Sequence, residues 1–117
     1  MSEALMPVLF VPHGGGPMPL MGDSNHRELT GFMRTIAGRL PEPKAILVIT
    51  AHWEEREATA SSHPAPAMIY DYYGFPPETY EYQYPAPGQP ALAKTIVDLL
   101  EAAGLPARLD SERGYDH

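Results

Sequence analysis

Two short apolar runs, each ending at a histidine, set the pattern of this chain. Pro7-Val-Leu-Phe-Val-Pro12 is continuously apolar and rich in β-branched and aromatic residues, which predicts a buried strand. Lys44-Ala-Ile-Leu-Val-Ile-Thr-Ala51 predicts a second strand of the same kind. The segment between them has a different period. Leu29, Phe32, Met33, Ile36, Ala37 and Leu40 recur at the three-and-four spacing of one helical face, so a helix is expected over Asn25 to Leu40. Asn25 and Glu28 suit a capping-box start, and Pro41 stops the helix. Strand, helix and strand joined by short loops predict a right-handed βαβ unit with parallel strands.

The second half is less regular. Ala67-Met-Ile-Tyr70 reads as a third strand, followed by an aromatic loop punctuated by Gly and Pro from Asp71 to Tyr84. Pro90 to Ala103 is a second amphipathic helix with Leu92, Ile96, Leu99, Leu100 and Ala103 on one face; Pro90 suits its first turn and Gly104 its end. Ala107-Arg-Leu-Asp110 reads as a further short strand, and Arg113 to His117 as a loop.

Composition narrows the class. A chain of 117 residues supports one core and not two. Its apolar runs are far too short to span a bilayer, and no charged region followed by an apolar one opens the chain as a secretion signal would. Cysteine is absent, which excludes disulfides and thiolate chemistry, and a cytoplasmic location is the default expectation. Fifteen acidic against eight basic residues give a net charge of −7, which repels phosphate backbones and anionic lipid, so neither nucleic acid nor membrane is an expected partner. The fourteen prolines fall mostly in pairs between periodic segments and read as stiff loops.

The candidate chemistry lies at the ends of the first two predicted strands. In open α/β sheets, ligands bind beyond the carboxyl ends of the strands, where loops converge. His13 and His52 each follow such an end at once, and on adjacent strands their side chains can reach one point. Imidazole is a good ligand for iron or zinc, and two histidines with one carboxylate leave coordination sites open. The competing reading of each histidine is a hydrogen-bonded loop residue. The run His13-Gly-Gly-Gly-Pro-Met-Pro19 lets the backbone turn sharply and approach a ligand closely. His26 reads as a surface residue of the helix's first turn and His63 as an exposed loop residue; neither is given a role. Trp53 reads as packing against the sheet. For the tyrosines of the aromatic stretch and Phe75, two readings stay open: a loop packed onto the domain, or a pocket wall for a flat apolar ligand. No serine lies in a nucleophile elbow, and the glycine run has neither the Lys-Ser/Thr of a phosphate loop nor dinucleotide spacing.

Five motifs in series carry more than any one of them. Pro12-His13-Gly with the following Gly-Gly-Pro, Thr50-Ala-His52-Trp53, Tyr70-Asp-Tyr-Tyr-Gly-Phe-Pro76, Tyr84-Pro-Ala-Pro-Gly88 and Gly114-Tyr-Asp-His117 stand in the order seen in class III extradiol ring-cleavage dioxygenases. The chain resembles in particular their 4,5-DOPA dioxygenase branch, from Val8 to His117. The resemblance implies a non-haem ferrous ion (Fe2+), with Zn2+ as the alternative, and cleavage of a catechol beside its two hydroxyls by dioxygen. By motif, His13 and His52 resemble the first two metal ligands. His117 resembles the second-sphere catalytic histidine that hydrogen-bonds substrate and exchanges protons, a role suited to an imidazole titrating near neutrality.

Pattern and resemblance together give an α/β fold class, a three-layer sandwich whose mixed, largely parallel central sheet is flanked by helices. Residues 1–117 are expected to be the N-terminal part of a single catalytic domain, because family chains are longer and draw further ligands and an acid/base histidine from a second half. The loop after His13 departs from the family's shorter His-Gly-Ser-Pro type, which would alter the pocket mouth. Partners are a small-molecule catechol and dioxygen, with a homo-oligomer left open. Two other readings stand beside the enzyme: a non-catalytic binding protein on the same scaffold and a zinc-dependent hydrolase.

Overall fold

A helix satisfies its backbone within its own turns, whereas a strand needs a neighbour, and this difference organises the computed structural model, which describes residues 5–116. Helix α1 (Arg27–Ile36) forms where the periodicity predicts it and is extended at both ends by single 3-10 turns, Ser24–His26 and Ala37–Arg39. The cap is Asp23 rather than the expected Asn25, since the Asp23 carboxylate accepts the Asn25 N–H at 3.1 Å.

The two runs on either side of α1 form no strand, which corrects the predicted βαβ unit. Among the described residues, no chain lies alongside 7–12 or 44–51 to complete a ladder, and their side chains face outward: Val8 is 95% and Ile49 90% exposed. Their apolar composition is therefore unspent, because β propensity acts through burial and cross-strand packing that these segments lack here.

Parallel pairing occurs instead in the second half. Strand β1 (Ala58–Ser61) pairs in parallel with β3 (Ala107–Asp110), in the register Ala58 to Ala107 through Ser61 to Asp110. Between them in sequence runs α2 (Pro90–Ala102), which packs on both strands and supplies the crossover. Ala93 and Val97, one turn apart on α2, are the buried apolar side chains among the described residues. Full burial of a valine is worth roughly 1.5–3 kcal/mol, so this crossover holds a small core. Pro90 opens α2 as expected, and Gly104 ends it in a left-handed conformation with φ +82°, which a side chain would strain. A second pair, β2 (Met68–Ile69) with β4 (Tyr115–Asp116), is also parallel, and it places as strand the 115–116 pair that the sequence predicts as loop. The result is an α/β arrangement of helices with small parallel sheets. No helix among the described residues is long and apolar enough to cross a membrane.

The aromatic stretch folds over a buried threonine. Thr79, fully buried in the 3-10 turn Pro77–Glu81, donates its hydroxyl to the Pro76 carbonyl at 2.7 Å, and its own carbonyl accepts the Tyr72 hydroxyl. Tyr70 donates to the Tyr82 carbonyl at 2.5 Å. The two tyrosine hydroxyls thus bond to backbone carbonyls, which leaves the ring faces free to pack.

Candidate metal centre

The geometry brings together the two histidines that the sequence singles out. The ring centres of His13 and His52 lie 4.6 Å apart with planes at 80°. An imidazole bound end-on at about 2.1 Å places its ring centre about 3.2 Å from a metal ion, so two rings on one cation have centres roughly 4.5–5.5 Å apart. The two rings are close enough to approach one cation. Among the described residues, however, no group of three or more His, Cys, Asp or Glu is arranged to hold a metal ion, so a complete donor set needs groups beyond these. His117, the expected proton-exchanging residue, lies outside the described residues.

Each histidine has its own support. His52 occupies a turn whose backbone N–H donates to the Thr50 hydroxyl at 3.2 Å. Its Nδ1 faces the Asp116 carboxylate at 3.8 Å, an electrostatic rather than a hydrogen-bonding distance, which turns Nε2 the other way. A carboxylate on this side of the imidazole favours one orientation of the ring. Asp116 is only 6% exposed and also meets the Arg113 guanidinium at 3.3 Å. Arg113 in turn lies over the Trp53 ring, 5.1 Å from its centre, while the Trp53 indole N–H donates to Glu55 at 2.9 Å. Trp53 is therefore held by a cation and a carboxylate. Arg108 on β3 reaches back to Glu55 at 3.2 Å and Glu57 at 3.9 Å, tying the segment after His52 to the sheet.

The turn that aims β4 at this place is built around Asp110. Its carboxylate accepts the backbone N–H groups of Glu112 at 2.8 Å and Arg113 at 2.9 Å. The Glu112 bond, followed by the Arg113 bond, holds the Asp110 carboxyl below its usual range. A lowered carboxyl stabilises the fold above its unfolded-state value, and that contribution fades only as pH falls through the lowered one. The turn is consequently intact at neutral pH.

The loop after His13 is held from two sides. Gly14 has φ +79°, and a β-carbon there would lie 2.4 Å from His26 Cδ2. Gly15 donates its N–H to His26 Nε2 at 3.1 Å, and His26 Nδ1 meets Asp23 Oδ2 at 2.7 Å. His26, read from sequence as a plain surface residue, is thus a partner of the His13 loop. Only its spacing from Asp23 was available to sequence reasoning, because the Gly15 contact is made across a turn. His63 stays local, accepting the Ala65 N–H at 2.9 Å.

Beside His13 opens a cleft of about 180 Å³, lined by Pro17, Leu20, Met68, Tyr70, Tyr72 and Tyr82 among others. A cavity of about 150 Å³ takes up benzene, so the space suits one aromatic ring. Tyr72 packs against Phe75 and Tyr80, with ring centres 5.5 Å and 5.0 Å away. The tyrosines serve in both ways left open by the sequence, as a packed loop and as a cleft wall.

Comparison with known proteins agrees with this geometry. Residues 7–117 match the family described as the catalytic LigB subunit of aromatic ring-opening dioxygenase. The chain is 43% identical over 124 residues to Dioxygenase tasH of Hapsidospora irregularis, covering 97% of this chain and 37% of that protein. It is 42% identical over 118 residues to the 4,5-DOPA dioxygenase extradiol of Escherichia coli (strain K12), covering 100% and 41%. Against the 4,5-DOPA dioxygenase extradiol of Beta vulgaris it is 37% identical over 119 residues, covering 99% and 43%. The chain spans about two-fifths of the length of these curated relatives. With its histidine pair, its aromatic cleft and a match over nearly its whole length, the chain belongs to the LigB family of aromatic ring-opening dioxygenases.

Proposed function

We propose that the full gene product is a non-haem, metal-dependent extradiol dioxygenase that opens a catechol such as DOPA with dioxygen. In this reading residues 1–117 form the N-terminal part of its catalytic domain. The observation that carries the proposal is the approach of His13 and His52 to 4.6 Å in a chain of this family. His13 and His52 would hold Fe2+, with Zn2+ as the alternative occupant, and a further ligand would come from outside the described residues. The ion supplies a Lewis acid that lowers the pKa of a catechol hydroxyl and a redox centre for dioxygen.

The chain's own residues do the rest. The walls of the cleft, chiefly Met68, Tyr70 and Tyr72, take the ring of the substrate edge-on to His13 and exclude water from its apolar face. Asp116 holds the His52 ring in one orientation. His117 would accept a proton from a substrate hydroxyl and return one as the ring opens. The balance is one catechol and one dioxygen giving one ring-opened semialdehyde acid that keeps both oxygen atoms.

Anaerobic reconstitution of the full gene product with ferrous iron, followed by a catechol and air, tests this. A yellow product formed with one dioxygen consumed per catechol is the expected result. Hydrolysis without oxygen uptake would establish the zinc hydrolase instead, and binding without turnover the non-catalytic protein.

The same reading extends to the fold. The exposed runs at 7–12 and 44–51 are expected to become strands of a three-layer sandwich, with a mixed, largely parallel sheet between helices, once the rest of the protein covers them. Amide hydrogen exchange on the full gene product should then show strong protection at Leu9, Phe10, Leu47 and Val48. Exchange there at the rate of an open loop would refute the sandwich.

A further inference from the structure

We propose that His26, aligned by Asp23, is a positioning residue for the metal centre, locking the glycine loop that carries His13 and so fixing how that imidazole faces His52. The inference rests on the metal reading of the site given above.

The chemistry of the pair allows one arrangement. An ionised carboxylate only accepts, so the 2.7 Å contact between His26 Nδ1 and Asp23 Oδ2 places the ring proton on Nδ1. Nε2 then keeps its lone pair, and Gly15 donates its N–H to that nitrogen at 3.1 Å. Asp23 is fixed in turn, because the same oxygen accepts the Asn25 N–H at 3.1 Å. The next link runs into α1, where the Thr30 hydroxyl donates to the His26 carbonyl at 2.8 Å. A continuous series of bonds therefore connects a rigid helix to the second residue after His13.

Shape reinforces the bond. The His26 ring lies so close beneath Gly14 that a β-carbon there would be 2.4 Å from Cδ2 and 2.7 Å from Nε2. On the other side Gly16 is pressed against the Phe75 ring, to which a β-carbon would lie at 3.2 Å. The loop is threaded between two rings, and glycine at both positions makes that passage possible. The His26 and Asp23 side chains are 18% and 24% exposed, so solvent competes little for their contact. His13 itself is exposed and its ring meets His52 edge-on, so its direction depends strongly on the backbone beneath it. His26 acts through Gly14 and Gly15 and does not reach the metal position.

The test is Fe2+ binding by the full gene product, measured anaerobically by competition with a chelator, and repeated with Zn2+. His26→Leu removes the acceptor while keeping most of the volume, and is expected to weaken binding about 10–100-fold, as loss of supporting contacts to ligands generally does. His26→Gln places an oxygen near the position of Nε2 and is expected to restore most of that affinity, which a role in bulk packing alone would not produce. Asp23→Ser keeps an acceptor for the Asn25 N–H but is too short to align His26, and should fall between the two. Should His26→Leu fail to fold, Asp23→Ser carries the test. Wild-type affinity in a folded His26→Leu or Asp23→Ser protein would overturn the positioning role while leaving the metal site standing, as would a His26→Gln protein as weak as His26→Leu. A wild-type protein that binds neither Fe2+ nor Zn2+ would overturn the metal site itself and this role with it.

Discussion

Alanine in place of His52 is expected to leave the full gene product unable to retain stoichiometric iron. His52 sits in a turn with its side chain 25% exposed, facing the Asp116 carboxylate and packed on the His13 ring. The proposed metal site would lose one of the two imidazoles that meet there. Deleting a supporting contact typically costs 10–100-fold in metal affinity, and deleting a ligand costs more, so a loss beyond about 100-fold is expected. Ring cleavage should fall in step, while the metal-free protein loses about 1 kcal/mol of stability, the ordinary cost of a point substitution. Metal analysis after dialysis, beside a melting curve of the apo protein, checks both halves. A His52→Ala protein that still holds one iron per chain would remove His52 from the ligand set.

Gly114→Ala is expected to be a damaging single-methyl substitution in the second half. A β-carbon at Gly114 would lie 2.1 Å from the carbonyl oxygen of Ala67 and 3.0 Å from its carbon, and both are backbone atoms with no rotamer in which to escape. That carbonyl accepts the Tyr115 N–H at 2.7 Å, the bond that opens the pairing of β4 with β2. Overpacking costs about 1–3 kcal/mol and the lost bond about 1 kcal/mol more, for a total of about 2–4 kcal/mol. Differential scanning calorimetry should show the midpoint lowered by roughly 5–15 °C. Because Asp116 follows on the same strand, the shift also draws the carboxylate away from His52 and Arg113, so iron affinity should fall together with stability. An unchanged midpoint would mean that this close approach is not made in solution.

These two residues show where sequence was informative and where it was not. Both helices were legible because their hydrogen bonds are local and their apolar period needs no partner to be seen. The runs before His13 and His52 were legible as apolar but not as paired, since a strand forms only where another chain segment lies beside it. The two rings meet even so, without a ladder between those segments. Strand β1 was missed because Ala-Thr-Ala-Ser carries none of the large β-branched or aromatic residues that mark a strand, and β4 because two residues make no pattern. Asp116 and His26 were invisible as neighbours of the site for a shared reason. Their importance lies in contacts made after the chain has turned back on itself, with His52 in one case and Gly15 in the other. Gly114 carried no signal either, since a glycine demanded by a passing carbonyl looks like any glycine in a turn.

The pairing of Met68 with Tyr115 joins segments distant in the chain, and closing so large a loop costs about 3 kcal/mol of entropy before the pairing returns anything. Contacts of that reach form late, after neighbouring turns and helices have settled. The cradle under the first imidazole, made between Asp23, His26 and Gly15, is local in sequence, whereas the carboxylate beside the second is brought in by the long-range pairing. A metal site drawing on both histidines would need the long-range pairing in place, so metal loading would report on the folded protein rather than on a nascent chain.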